Sequence, residues 1–237
     1  MRIRVEPPVW ELFPELQIGV VVARGIDNTA AVEAAADRAR EDLERAVAAA
    51  VALPIEDIPN HPAIAPWRAA YRAFGAKPND HRPSLEGLLR AARRGSLGSI
   101  SPLVDLYNAV SLAWLLPCGG EDLAAVAGDL VLTRAAGDEP FVPLGGGADL
   151  PPKPGEVVYR DDLGVVCRCL NWREAERTKL TAATRDAVLV LEALPPEGAA
   201  RLESALGDLA ARIAQLLGGS TTVAVLGRDH PEAPLGG

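Results

Sequence analysis

The chain has 237 residues, of which 49% are hydrophobic and only 4% aromatic, and a formal net charge of −8. That is enough apolar material for a substantial core of Val, Leu, Ala and Ile, which excludes a mostly disordered chain. The acidic balance excludes a protein that coats nucleic acid through its overall field.

The opening residues, MRIRVEPPVWELFPELQ, carry no charged-then-apolar leader, and no run approaches the roughly 18 apolar residues that cross a bilayer. A soluble, cytoplasmic protein with no membrane partner is expected. Residues 18–23 read as a buried strand entered after Pro14. Asn28-Thr29 is then expected to cap a long helix, TAAVEAAADRAREDLERAVAAAVAL, whose alanines and spaced charges favour helix throughout. Two shorter helices follow around 62–74 and 84–94. A fourth, at 104–116, stops at Pro117 and the pair Gly119-Gly120, which reads as a turn.

From Asp129 the pattern changes to short apolar runs between turn residues: DLVLTRA, EPFVPL, GEVVYRDDLGVVCRCL and DAVLVLEAL. Residues 161–164 suit a hairpin connection, and LGGGADLPPKPGE suits a loop. Pro195-Pro196 opens a helix at about 197–217, and TTVAVLG makes a last strand. Helices first and strands second predict an α+β fold, with one domain over 1–227 and a frayed tail over 228–237.

Chemistry-bearing residues are sparse. Cys118, Cys167 and Cys169 suit reduced thiols rather than a disulfide framework, and Cys167 and Cys169 read as two side chains on one face of a strand. With only His61, His81 and His230, there is no metal motif and no histidine-based triad spacing, so neither metal nor cofactor is expected. Charge is uneven: residues 71–95 place Arg72, Lys77, Arg82, Arg90, Arg93 and Arg94 against Asp80 and Glu86. Such a basic stretch on an acidic body suits a polyanion contact or a solvated helix face. Farther on, LNWREAERTKL packs ionisable groups behind a tryptophan, directly after an apolar strand.

The stretches SPLVDLYNAVSLAWLLPCGGEDL and NWREAERTKLTAATRDAVLVLEAL, separated by a strand-rich segment and preceded by YRAFGAKPNDHRPSLEGLLRAARRG, carry a resemblance over roughly residues 65–220. The chain resembles the B3/B4 editing domain of the phenylalanyl-tRNA synthetase beta subunit, and more closely the free-standing proteins built from that domain alone. This resemblance implies a three-layer β/β/α sandwich and hydrolysis of a mischarged, aminoacylated tRNA. It places the synthetase's Thr-Asn pair on Tyr107-Asn108, its histidine on Gly119, its acidic strand residue on Glu192, and its glycine pair near Leu170 to Glu174. The chain departs from that pattern at Tyr107, at Gly119 and over 170–174. Some free-standing relatives remove an arginine analogue, canavanine, from tRNA.

An aminoacyl ester is already activated, so its hydrolysis requires an oriented ester, a placed water and a stabilised oxyanion, with no obligatory Ser or Cys nucleophile. Candidate groups are Asn108 for the α-amino group or the water, and the Gly119-Gly120 N–H groups for the oxyanion. Glu121 and Asp122 are candidates for a cation or water, though the pair equally suits a helix N-terminus. Asn171, Arg173, Glu174 and Arg177 are expected to wall the pocket, with Arg72, Lys77, Arg82, Arg90, Arg93 and Arg94 meeting tRNA. Convergence of Glu121, Asp122 and Glu174 would favour a cationic side chain. A noncatalytic RNA-binding module and an amino-acid-like small-molecule binding protein remain the alternatives.

Overall fold

A computed structural model describes residues 1–29 and 33–236. In chain order it contains β1 (Arg2–Val5), α1 (Pro7–Leu12), β2 (Gln17–Arg24), α2 (Glu33–Ala52), α3 (Ala65–Ala73), α4 (Ser84–Arg93), α5 (Pro102–Trp114) and β3 (Cys118–Asp122). There follow β4 (Leu130–Arg134), β5 (Val157–Arg160), β6 (Val165–Arg168), β7 (Arg173–Glu174), β8 (Ala187–Ala193), α6 (Gly198–Leu217), β9 (Ser220–Leu226) and β10 (Glu232–Pro234). The strands form a six-stranded sheet, β10-β1-β4-β5-β6-β7, and a four-stranded sheet, β3-β8-β2-β9. Every named pairing is antiparallel except β1 with β4.

The alternation of side chains along β2 and β8 stacks the layers. Ile18, Val20 and Val22 of β2, with Val188 of β8, share a core with Ile3, Leu132, Val157 and Val166 of the six-stranded sheet. The intervening Val21, Ala23, Leu189 and Leu191 share a second core with Leu103, Leu106 and Val110 of α5 and Leu202, Leu206 and Leu209 of α6. β2 and β8 are therefore covered on both faces, which is why they read as continuous apolar runs. The fold is α+β, a three-layer β/β/α sandwich. A third cluster joins α2, α4 and α5 through Leu43, Ala50, Leu85, Leu89 and Leu112. At Gly19, a Cβ would lie 2.8–2.9 Å from the methyls of Leu202 and Leu206, so this glycine sets how closely α6 sits on β2.

Several expectations need correcting. The Gly119-Gly120 turn is the strand β3, held antiparallel to β8 with Gly119 opposite Val190 and Gly120 opposite Leu189. EPFVPL contributes only an isolated bridge, Pro143 to Ala175, because prolines deny the ladder its donors. β6 ends at Arg168; Cys169 and Leu170 then take positive φ, so Cys167 and Cys169 do not share a strand face. The start of the long helix at residues 30–32 lies outside the described residues. Asn28 serves a different helix, since its Oδ1 accepts from Leu103 N–H in the first turn of α5 while its Nδ2 donates to Thr181 O. The tail does not fray over 232–234, where β10 pairs with β1. Among the described residues no helix is long and apolar enough to cross a membrane.

Candidate functional site

β3 and β7 are edge strands of the two sheets, and between them lies a cavity of about 440 Å³, roofed by α4 and α5. Such a volume is typical of small-molecule sites. Two local features aim its side chains. In β3, alternate residues face opposite ways, so Gly119 and Glu121 face the cavity while Asp122 does not. After β6, the left-handed turn at Cys169-Leu170 is held by burying both side chains completely, and it swings Asn171, Trp172, Arg173 and Glu174 onto the lining.

Three carboxyl groups meet here, and among the described residues none has an ion pair. Glu174 Oε1 accepts from Gly120 N–H at 3.1 Å, and burial pushes its pKa up to about 7 against the pull of that bond. Glu121, 5% exposed, is raised well above the carboxylate range by burial and then by the charge of Glu174. Its Oε2 and the neighbouring Thr178 Oγ1 are both buried without a completed hydrogen bond. Glu192 is 2% exposed; Oε1 accepts from Tyr159 O–H at 2.9 Å and Oε2 accepts from Asn171 Nδ2. Burial raises its pKa to about 7, with both bonds lowering it.

The remaining groups divide into free and committed. Asn108 is 8% exposed on the lining, and its amide has no hydrogen-bond partner among the described residues. The Tyr107 hydroxyl likewise faces the cavity, and burial keeps it a phenol. Ser84 Oγ is buried and unpaired. Asn171, by contrast, is fully engaged, because its Oδ1 accepts from Tyr71 O–H at 2.8 Å and Ser84 N–H at 3.3 Å while Nδ2 serves Glu192. Cys118 and Cys167 are also among the lining residues, Cys118 from the helix-side face of β3. Burial raises both thiols well above their ordinary range, so neither supplies a thiolate.

Of the residues picked out in the sequence, Tyr107, Asn108, Gly119, Gly120, Glu121, Asn171, Arg173, Glu174, Glu192 and Arg82 all line this cavity. Asp122 does not, because its neighbour Glu121 takes the cavity face of β3. Asp122 instead accepts from Ala124 N–H and Thr184 O–H. Arg177 is also elsewhere, bound to Asp161 and Ala125 O. The Gly120 N–H expected for an oxyanion is occupied by Glu174. Within the basic stretch, Arg90 is paired with Glu86, and Arg93 donates to the carbonyls of Leu53 and Ile55. Arg72, Lys77, Arg82 and Arg94 are exposed without an ion pair among the described residues. Trp172 is half-buried, flanked by the Arg173 and Arg168 guanidinium groups at 5.4 and 5.6 Å and by His81 edge-on at 4.4 Å.

Sequence reasoning missed Tyr71, Tyr159 and Ser84. A signal was present for the tyrosines: the chain has only three, and all three serve this site.

The Glu192 carboxyl makes stability depend on pH in a definite direction. Its folded pKa lies above the ordinary 4.5, so its contribution is complete below about 4.5 and is lost as pH rises through about 7. In urea unfolding, the wild type should lose up to about 3 kcal/mol across this window relative to Glu192→Gln. The amide can still accept from Asn171 and donate to Tyr159, so it keeps the shape while removing the titration.

A family model described as the B3/4 domain matches residues 66–214. No curated protein matches the chain. Among solved structures, it is similar to an N-terminal fragment of the phenylalanyl-tRNA synthetase beta subunit from Pyrococcus horikoshii, with 13% sequence identity and a TM-score of 0.49. That alignment covers 92% of this chain and 49% of the fragment, so the chain spans about half the fragment's length. Because the family model matches more than half of its residues, the chain belongs to the B3/4 domain family.

Proposed function

We infer that the protein hydrolyses the ester of a mischarged aminoacyl-tRNA, acting in trans on tRNA charged elsewhere. One observation carries this reading: a cavity of amino-acid size holds three carboxyl groups without an ion pair, beside an unpartnered amide, among the described residues, with the exposed Arg82 and Arg173 on its rim. The carboxyl groups suit a substrate with a positive charge, either the α-ammonium group or a cationic side chain such as that of an arginine analogue. The rim cations suit the phosphate backbone of the tRNA end.

The chemistry needs no covalent intermediate. Asn108 orients the attacking water, and Glu121, whose pKa the neighbouring Glu174 charge helps to raise, accepts its proton as the oxygen adds to the ester carbonyl. The bond to the ribose oxygen then breaks, that oxygen takes the proton, and the free amino acid leaves. Carboxyl groups with raised pKa values suit this exchange near neutral pH. Asn171 and Glu192 hold the wall through Tyr71 and Tyr159.

The test is a panel of mischarged tRNAs, following release of each amino acid with time. Accelerated release for cationic amino acids supports the reading. Binding of uncharged tRNA without release on any member favours a noncatalytic RNA-binding module instead. Within the basic stretch, neutralising Arg72, Lys77, Arg82 or Arg94 should each reduce the salt dependence of tRNA binding by about one unit of slope. Arg93 should behave differently: its loss removes support from the Leu53 and Ile55 carbonyls and lowers stability.

A further inference from the structure

Glu174 reaches the cavity only because of what is missing opposite it. It stands on β7, whose register is fixed by Cys167–Glu174 and Arg168–Arg173 pairing with β6, and its side chain crosses from the six-stranded sheet to β3 of the other. A Cβ at Gly119 would lie 2.7 Å from Glu174 Oε1, inside contact distance, so the carboxyl occupies the space of the absent side chain. Two residues along the same strand face, Glu121 presents its unpartnered Oε2. Gly120, on the opposite face, is glycine for another reason: a Cβ there would lie 2.4 Å from a Leu189 methyl and 2.9 Å from Val188 O.

We propose that Glu174 reads the positive charge of the ligand's side chain and that Gly119 is the specificity-determining residue that admits this carboxyl to the cavity. The inference rests on reading the cavity as the amino-acid end of the substrate site. Two observations independent of the acidic cluster point to a ligand: Asn108, 8% exposed, lines the cavity with an unpaired amide, and Ser84 Oγ is buried there without a partner. Any side chain at position 119 would push the carboxyl aside and leave a smaller, less acidic floor.

The experiment measures calorimetric binding of L-argininamide and L-citrullinamide to the full chain at pH 8. The two amides share the same α-amino group, about half protonated at this pH in both, and differ in side-chain charge alone. A charge-assisted hydrogen bond corresponds to about tenfold or more in affinity, so the wild type should prefer argininamide by at least that factor. Gly119→Ala and Glu174→Gln should both bring the preference within about threefold, and Glu174→Asp should restore part of it. The titratable groups around Glu174 are Glu121 and Cys118 of β3, Tyr107 of α5, Cys167 of β6 and Glu192 of β8, none of them cationic, while the two arginines of the lining, Arg82 and Arg173, are exposed on the rim. The wild-type preference should therefore shrink at pH 5.5, as Glu174 takes a proton.

Equal binding of the two amides by the wild type would overturn the proposal. So would full discrimination in a folded Glu174→Gln variant, which keeps the test decisive if Gly119→Ala fails to fold. Discrimination without hydrolysis of any mischarged tRNA would remove the proposed reaction and leave this inference standing.

Discussion

Glu121→Gln is expected to lower the turnover of a mischarged tRNA by about 100- to 10,000-fold, the range over which positioned proton transfer contributes to catalysis. The amide matches the carboxyl in shape but cannot take a proton from water. Glu121 is 5% exposed and its only neighbouring donor among the described residues is the Thr178 hydroxyl, from which an amide oxygen can accept as well as a carboxyl oxygen, so the substitution keeps that contact. Stability should be unchanged or slightly raised, because a buried group that resists ionisation is replaced by a neutral one. Affinity for tRNA, which under the same reading depends on the rim cations, should stay within about twofold of wild type. Single-turnover release at saturating protein separates these quantities. In the wild type, the rate should rise with pH as the Glu121–Glu174 pair loses a proton, and the profile belongs to the pair rather than to either residue. Unchanged release in Glu121→Gln would remove this carboxyl from the reaction.

The second large effect lies outside the cavity. Glu86 is fully buried and accepts from Arg68 Nη1 at 2.8 Å and from Arg90 Nε at 3.0 Å. Arg68, 8% exposed, also donates to Asn79 Oδ1 at 2.7 Å. Glu86→Ala would leave the Arg68 guanidinium buried beside neutral acceptors only, and breaking such a pair costs about 3–5 kcal/mol. Urea unfolding should show that loss, with a smaller one for Glu86→Gln, which retains an acceptor. The consequence reaches the site. Arg68 ties α3 to the segment through Asn79 that leads to Arg82 on the cavity rim and Ser84 in its lining. A loss below about 1 kcal/mol would mean that water reaches the pair.

How much of this was legible in the sequence varied with the range of the signal. The long apolar runs of β2 and β8, the alanine-rich α2 and the Pro/Gly-bounded α5 follow from local propensity and periodicity, and each was read from the residues alone. The short edge elements were not. β3 looked like a turn because glycine pairs usually make one; here the glycines serve close approach, to Glu174 on one face and to Leu189 and Val188 on the other. β1 and β10 escaped notice because strands of four and three residues owe their existence to their partners.

The same division holds for the site. Residue types and chain order marked the charges after Trp172 as chemistry-bearing, because ionisable groups next to an apolar segment stand out in one dimension, while Asn108 and Glu121 were picked out with the help of the family resemblance. Tertiary structure decided which of them meet. The pleat of β3 turned Glu121 inward and Asp122 outward, the left-handed turn at Cys169-Leu170 swung Asn171 and Glu174 onto the lining, and Arg177 was drawn off to Asp161. Facing direction and charge pairing depend on contacts between residues as much as 100 positions apart, as with Tyr71 and Asn171. Such contacts exist only once both sheets have closed over the cavity, which is why no local pattern records them.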